Sequence, residues 1–201
     1  RMSGEGSGHD WWHVYRVWKM AKHIGKNETC DMFVVELAAL LHDIADHKFY
    51  NGDEEIGPKT AQEWLKSLDT DEAYIKHVCN IVRYISFRGA NVKSQISTIE
   101  GMIVQDADRL DALGAIGIAR TFAYGGNKNR EIYNPNIKPV IHKSFEEYKK
   151  DSDPTINHFY NKLLLLKNLM NTKTGKKIAL TRTNYMKKKK EKFFNEWEGR
   201  E

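Results

Sequence analysis

Between Val34 and Asp46 the chain reads VVELAALLHDIAD, and no other stretch restricts the fold as much. Every position from Leu37 to Leu41 is apolar, so a helix here has no face to offer water and must be buried. The expected helix runs from Val34 to Asp46 and carries His42, Asp43 and Asp46 at its end. Asp46 follows His42 by four residues and Asp43 by three, which turns all three toward one side. A buried carboxylate or imidazole without a partner costs several kcal/mol, so this polar end requires one. The commonest strong partner for such groups is a metal ion.

Other segments supply groups that could meet it. A first helix is expected from a cap at about Asp10 to Gly25, with His13 on the stripe of Val17, Met20 and Ile24. The buried helix follows, capped near Thr29 or Asp31. Pro58–Leu68 and Asp71–Tyr84 read as further helices, the latter with Ile75, Val78, Val82 and Ile85 as its apolar stripe. From Thr98 to about Tyr124 apolar residues again recur at helical spacing, and Gly114 and Gly117 point to close packing or a break into two helices. Asp153-Pro154 should start a helix to about Asn171, and a last helix begins near Gly175. No alternating strand pattern exceeds four residues. The expected class is all-α.

The 201 residues suffice for one domain with a full core, taken as 1–201. Within it residues 1–8 read as flexible or tag-derived, 125–153 as an irregular loop region, and 154–201 as C-terminal helices packed on the core. No run approaches the roughly 18 apolar residues of a membrane span. The opening RMSGEGSGHD has no apolar signal core. Cys30 and Cys79 lack CxxC spacing and read as buried reduced thiols of a cytoplasmic protein. A net charge of +5 suits an anionic ligand. Much of it comes from Lys187–Lys190, which reads as a solvated helix end and is no argument for nucleic acid.

Three buried helices thus carry ligand-type residues on core-facing stripes. His13 lies on the first, and His42 with Asp43 on the second. The fifth offers Asp106, Asp108 and Asp111, among which chemistry alone does not choose. A lone His on an apolar stripe is more often a hydrogen-bonded core residue than a ligand. The joint pattern, His then His-Asp then Asp, carries the argument.

With its flanking phrases GHDWWHVYRV, AALLHDIADHKF and VQDADRLDALGAIGIAR, this pattern resembles the HD-domain superfamily of metal-dependent phosphohydrolases, whose signature is H…HD…D. His13, His42, Asp43 and Asp108 match it. Asp108 is the matching acid because the family's ligand stands in an Ala-Asp-Arg-Leu context. The likeness extends to a subgroup, the small stand-alone bacterial HD proteins of the YpgQ/YedJ type. It runs over most of the chain, including YGGN, IYNP and FYNKLLLLKNLMNT.

The resemblance implies a helical HD-domain fold with a metal site between core helices. One octahedral divalent ion would be held by His13, His42, Asp43 and Asp108, leaving two positions for water and a phosphate oxygen. Mixed N/O donors without thiolate suit Mn²⁺, Fe²⁺, Ni²⁺, Co²⁺ or Zn²⁺, and Mg²⁺ less well; the resemblance favours Mn²⁺. Dinuclear members need further histidines between HD and the last Asp. Only His47 and His77 lie there, and His47 is more than a right angle from His42 around the helix. One ion is therefore expected.

The implied activity is hydrolysis of a nucleoside triphosphate, ribo or deoxyribo, to the monophosphate and pyrophosphate by a metal-activated water. Its alternatives are a nucleotide phosphomonoesterase, a cyclic-nucleotide or alarmone phosphodiesterase, and a non-catalytic helical module binding nucleotides or nucleic acid. The expected partner is a small nucleotide, with neither a membrane nor a specific nucleic acid. Asp46, one turn beyond the His-Asp step, is suited to accept a proton from the water, and the superfamily often has an acid at this offset. The alternative for Asp46 is a capping or salt-bridging acid.

Candidate phosphate contacts are Lys48, Arg16, Lys162, Arg182 and His77, with His9 and Arg88 less favoured; surface lysines that snorkel are the competing reading. Arg109 is expected to pair with Asp106 or a neighbouring acid. Tyr50, Tyr124 and Tyr133 are candidates for stacking on a base. Thr172–Lys176 superficially looks like a phosphate loop, but it follows a helix and lacks G-x-x-x-x-G-K-[ST], so it is set aside.

Overall fold

The structure, a computed structural model, describes residues 10–45, 53, 55–87, 94–140 and 153–200. Its regular elements are all helical, and no strand occurs among the described residues. The chain is all-α. No helix among them is long and apolar enough to cross a membrane. The residues gather into two compact units, the first reaching Asp108 and the second beginning at Arg109.

In the first unit, α1 spans Trp11–Gly25. It starts where Asp10 accepts the His13 amide at 2.9 Å, satisfying one of the donors that a helix start leaves over. His13, Val14, Val17, Ala21 and Ile24 form its buried stripe. Gly25 is the last residue of the helix and packs closely against Met32. A Cβ there would stand 2.6 Å from the Met32 sulfur.

The buried helix is α2, Met32–Leu41, capped by Asp31 through the amides of Phe33 and Val34. No residue from Val34 to Ala45 is exposed. It ends five residues earlier than the expected Asp46. Beyond Leu41 the chain tightens into turns, with Ile44 N–H donating to Leu41 O at 3.0 Å, an i→i+3 bond. Trp18 Nε1–H donates to Glu36 at 2.8 Å and Lys22 pairs with the same carboxylate at 3.2 Å, joining α1 to α2.

Next come α3, Ile56–Ser67, and α4, Glu72–Tyr84, the latter capped by Asp71. Pro58 falls in the first turn of α3, where its missing N–H has no carbonyl to serve. Both cysteines are half-buried free thiols rather than fully buried ones. Cys79 donates to Pro58 O across the α3–α4 contact, and burial pushes its thiol above the ordinary value.

The long helical pattern from Thr98 divides into α5, Ile99–Asp111, and α6, Gly114–Asn127. Gly114 makes the break at φ +77°, a left-handed conformation that a Cβ would strain. Gly117 has a second reason to be glycine, since a Cβ there would strike the Ala112 carbonyl.

The second unit contains α6 and two later helices. The expected continuous helix from Pro154 to Asn171 is replaced by a 3₁₀ turn at Thr155–Asn157, the short α7 at His158–Asn161, and a 3₁₀ stretch at Leu163–Leu169. Lys162 interrupts it at φ −140°, ψ −62°, outside the helical region. The apolar residues Ile156, Phe159, Leu163 and Leu166 are nevertheless all buried. Burial thus survives the loss of helical continuity.

Finally α8 covers Lys173–Trp197, with Thr172 Oγ1 accepting the Gly175 amide at 2.9 Å. The sequence resembling a phosphate loop is this helix's N-cap. Near the far end Tyr133 meets Phe193, Phe194 and Trp197 edge-on.

Candidate metal centre

Two imidazoles and two carboxylates meet inside the first unit. His13 Nε2 and His42 Nε2 stand 3.2 Å apart. An Asp43 oxygen lies 3.4 Å from His13 Nε2 and 3.6 Å from His42 Nε2. An Asp108 oxygen lies 3.5 Å from His13 Nε2. The imidazole side chains are 0% and 1% exposed, the carboxylates 17% and 27%. The cluster therefore has a dry wall of nitrogen and a partly open wall of oxygen.

His13 and Asp108 are placed by α1 and α5, and His42 and Asp43 by the end of α2 and the turn that follows it. His13 sits in the first turn of α1, its amide held by the Asp10 cap. His42 is the C-cap of α2, and its Nδ1 contacts the Ala39 carbonyl at 2.8 Å. A carbonyl only accepts, so Nδ1 carries the hydrogen, and in the neutral ring the Nε2 lone pair faces the cluster. This carbonyl is a structural contribution that side-chain reading missed. The signal was available, because an imidazole closing a helix lies near carbonyls that lack an amide partner further along.

The donor set fits a divalent cation. His13, His42 and Asp108 each offer one atom, and these atoms lie within 4.8 Å of one another. Two donors bound at right angles to an ion with bonds of about 2.1 Å stand about 3 Å apart, close to the observed 3.2–3.6 Å. Two imidazole nitrogens and two carboxylates converging on one partly closed space call for positive charge between them.

Of the three acids on α5, the structure brings Asp108 to the histidines. Asp111 is held at 2.8 Å by Arg120. Asp106 is fully buried. Arg109 donates to the Leu169 carbonyl. Arg16 is half-buried on α1, one turn from His13. His77 is engaged elsewhere, 3.0 Å from Thr98 Oγ1 and 3.7 Å from Glu100. Thr98 precedes Asp108 by ten residues, about 15 Å along a helix, so His77 is not part of the cluster.

Lys162 and Arg182 belong to the second unit. Lys162 marks the break after α7, and Arg182 donates to Leu110 O at 2.6 Å. Tyr124 is 39% exposed with Lys128 and Arg130 near its ring, whereas Tyr133 is engaged in the aromatic group at the end of α8. Asp46, Lys48, His9, His47, Tyr50 and Arg88 lie outside the described residues.

The chain has counterparts among known proteins. The family described as HD domain matches residues 11–113, a span that holds all four clustered residues, and the chain belongs to that family. It is 38% identical over 187 residues to the uncharacterized protein YpgQ of Bacillus subtilis (strain 168), covering 92% of this chain and 82% of that one. The crystal structure of Bacillus subtilis YpgQ in complex with ADP superposes with a TM-score of 0.76 at 34% identity, covering 96% of this chain and 91% of that chain. An HD-superfamily hydrolase from Bacillus thuringiensis has a TM-score of 0.74 at 47% identity, covering 94% and 87%.

Proposed function

We propose that this chain is a metal-dependent phosphohydrolase acting on nucleoside triphosphates, ribo or deoxyribo, and releasing the monophosphate and pyrophosphate. The observation that carries the reading is the convergence of His13, His42, Asp43 and Asp108 from three helices. Two buried imidazoles and two partly open carboxylates suit a hydrated divalent ion such as Mn²⁺, Fe²⁺, Ni²⁺, Co²⁺ or Zn²⁺, and the family resemblance favours Mn²⁺ among them. Support for a nucleotide comes from YpgQ, whose structure holds ADP.

When bound, the ion supplies Lewis acidity, drawing charge from a phosphate oxygen and making nearby water more acidic. The chain's own residues orient that chemistry. The Ala39 carbonyl sets the His42 tautomer. The closed nitrogen side excludes solvent behind the ligands, and the carboxylate side admits substrate. Asp46, close in sequence to the His-Asp step, takes the proton from the attacking water in this scheme. Arg16 and Lys48 offer positive charge to the phosphate chain.

A nucleotide panel tests the reading. Protein stripped of metal and reloaded with Mn²⁺ is given tri-, di-, mono- and cyclic nucleotides, and pyrophosphate and orthophosphate are assayed separately. Pyrophosphate from triphosphates is the expected result. Orthophosphate alone would make the chain a phosphomonoesterase. Absence of turnover with every metal, together with salt-sensitive retention of nucleic acid, would replace the enzyme with a binding module.

A further inference from the structure

Three guanidinium groups grip the last turn of α5. Arg109, within it, donates to the Leu169 carbonyl. Arg120, on α6, holds Asp111 at 2.8 Å. Arg182, on α8, donates from Nη1 to the Leu110 carbonyl at 2.6 Å across 72 residues of sequence. The Leu110 oxygen also receives the Leu113 amide at 3.0 Å, closing the turn in which α5 ends. Arg182 thus occupies its second lone pair, at the helix end whose dipole favours a cation.

The stem of Arg182 is seated as well as its head. A Cβ at Gly114 would lie 3.2 Å from Arg182 Cγ and 3.4 Å from both its Cβ and Cδ. The glycine's left-handed conformation and the arginine's seat thus occur at one place, immediately after α5. Burial lowers the guanidinium below its ordinary value, and Asp111 opposes that effect. A solvated surface arginine shows none of these features.

We propose that Arg182 is a positioning residue for the metal centre. By fastening the Leu110 carbonyl it fixes the final turn of α5, from which Asp108 is presented two residues earlier. This assigns Arg182 a role through the backbone instead of the phosphate contact expected from sequence. It rests on the reading of His13, His42, Asp43 and Asp108 as metal ligands. The arginine bonds a carbonyl near the ligand and not the ligand itself. Its loss should therefore cost less metal affinity than the roughly 10- to 100-fold typical of a partner bonded directly to a ligand.

Arg182→Met and Arg182→Lys test the assignment, with Mn²⁺ affinity read from the electron paramagnetic resonance of the free ion at a temperature where each variant is folded. Arg182→Met should bind Mn²⁺ about 5-fold more weakly, and Arg182→Lys should recover part of the loss, because one donor still reaches a carbonyl. The nucleotide KM should stay within about 2-fold of the parent while kcat falls, the pattern of a mispositioned centre. Unchanged Mn²⁺ affinity in both variants overturns the proposal, whether KM rises or only the melting temperature falls. If Arg182→Met does not fold, Arg182→Lys alone decides by the same criterion. Parent protein that binds Mn²⁺ but turns over no nucleotide defeats the proposed activity and leaves this test standing. Parent protein that binds no Mn²⁺ overturns both.

Discussion

Glu100 accepts a hydrogen bond from the backbone amide of Asp31 at 2.9 Å, joining α5 to the start of α2 across 69 residues of sequence. Asp31 is the residue that caps α2 with its own side chain. One carboxylate therefore holds the entrance of the helix whose other end carries His42 and Asp43. Glu100 is 8% exposed, so the bond is made where water competes poorly. Replacing Glu100 with Ala should cost about 1–3 kcal/mol, because the Asp31 amide loses a charged acceptor. Glu100→Gln keeps an acceptor and should cost less. Urea unfolding followed by circular dichroism measures both; equal midpoints for the two variants would contradict this account.

Removing the ligands should abolish metal binding before anything else. His42→Ala and Asp43→Ala are expected to lose bound metal, measured by elemental analysis after dialysis. Asp46→Asn is expected to retain the metal and lose most turnover, about 10²- to 10⁴-fold if the residue is the general base. An unchanged rate in that variant would return Asp46 to its structural alternative, a capping or salt-bridging acid.

Steric demand at the α5–α6 joint gives a third expectation. Gly117→Ala places a methyl group against the Ala112 carbonyl, a backbone atom that cannot rotate away. Overpacking of this kind costs about 1–3 kcal/mol. By contrast, a Cβ at Gly126 meets nothing within 4 Å. Gly126→Ala should therefore be neutral or stabilising through its effect on the unfolded chain. Thermal melts of the two variants should move in clearly different ways.

Cys79 gives a dependence on pH. Burial is the largest cause of its raised thiol value, and Glu72 acts in the same direction against Arg83 and Lys66. The folded protein thus binds the thiol proton more tightly than the unfolded chain does. This contribution to stability is present below the unfolded value and is lost as pH rises through the folded one. In Cys30→Ser protein, modification of Cys79 by a disulfide reagent at pH 8 should be slow when folded and fast in denaturant. Equal rates would refute the shift.

The helices that carry the clustered residues were legible because helical spacing marks which side of α1 and α2 is buried, and a polar group on that side is conspicuous. His13 and the His42–Asp43 step stand out on those grounds alone. The choice among Asp106, Asp108 and Asp111 was not legible from spacing, since all three occur within one and a half turns. It needed the family resemblance, and in the folded chain it is expressed as Asp108 beside His13 and Asp111 beside Arg120. The break after α7 was also hidden. Phe159 to Leu169 contains no Gly or Pro, and Lys162 has good helix propensity. Its non-helical backbone appears only in the folded unit, where Leu163 and Leu166 are buried. For α2, the i→i+3 turn after Leu41 leaves no composition signal, because Ile44 and Ala45 suit a helix equally well.

The contact between His13 and His42 spans 29 residues of sequence, and Asp108 joins them from further along still. An unfolded chain keeps only the adjacent His42–Asp43 pair together, so strong ion binding requires the three helices to be assembled first. Ion concentration then acts on the folding equilibrium itself. A free ion at about 100 times its dissociation constant adds about 2.7 kcal/mol to the stability of the assembled form. A chelator would accordingly do more than silence the enzyme: it would lower the melting temperature of the protein, and the size of that fall, followed across ion concentrations, would report the affinity of the centre without any substrate being known.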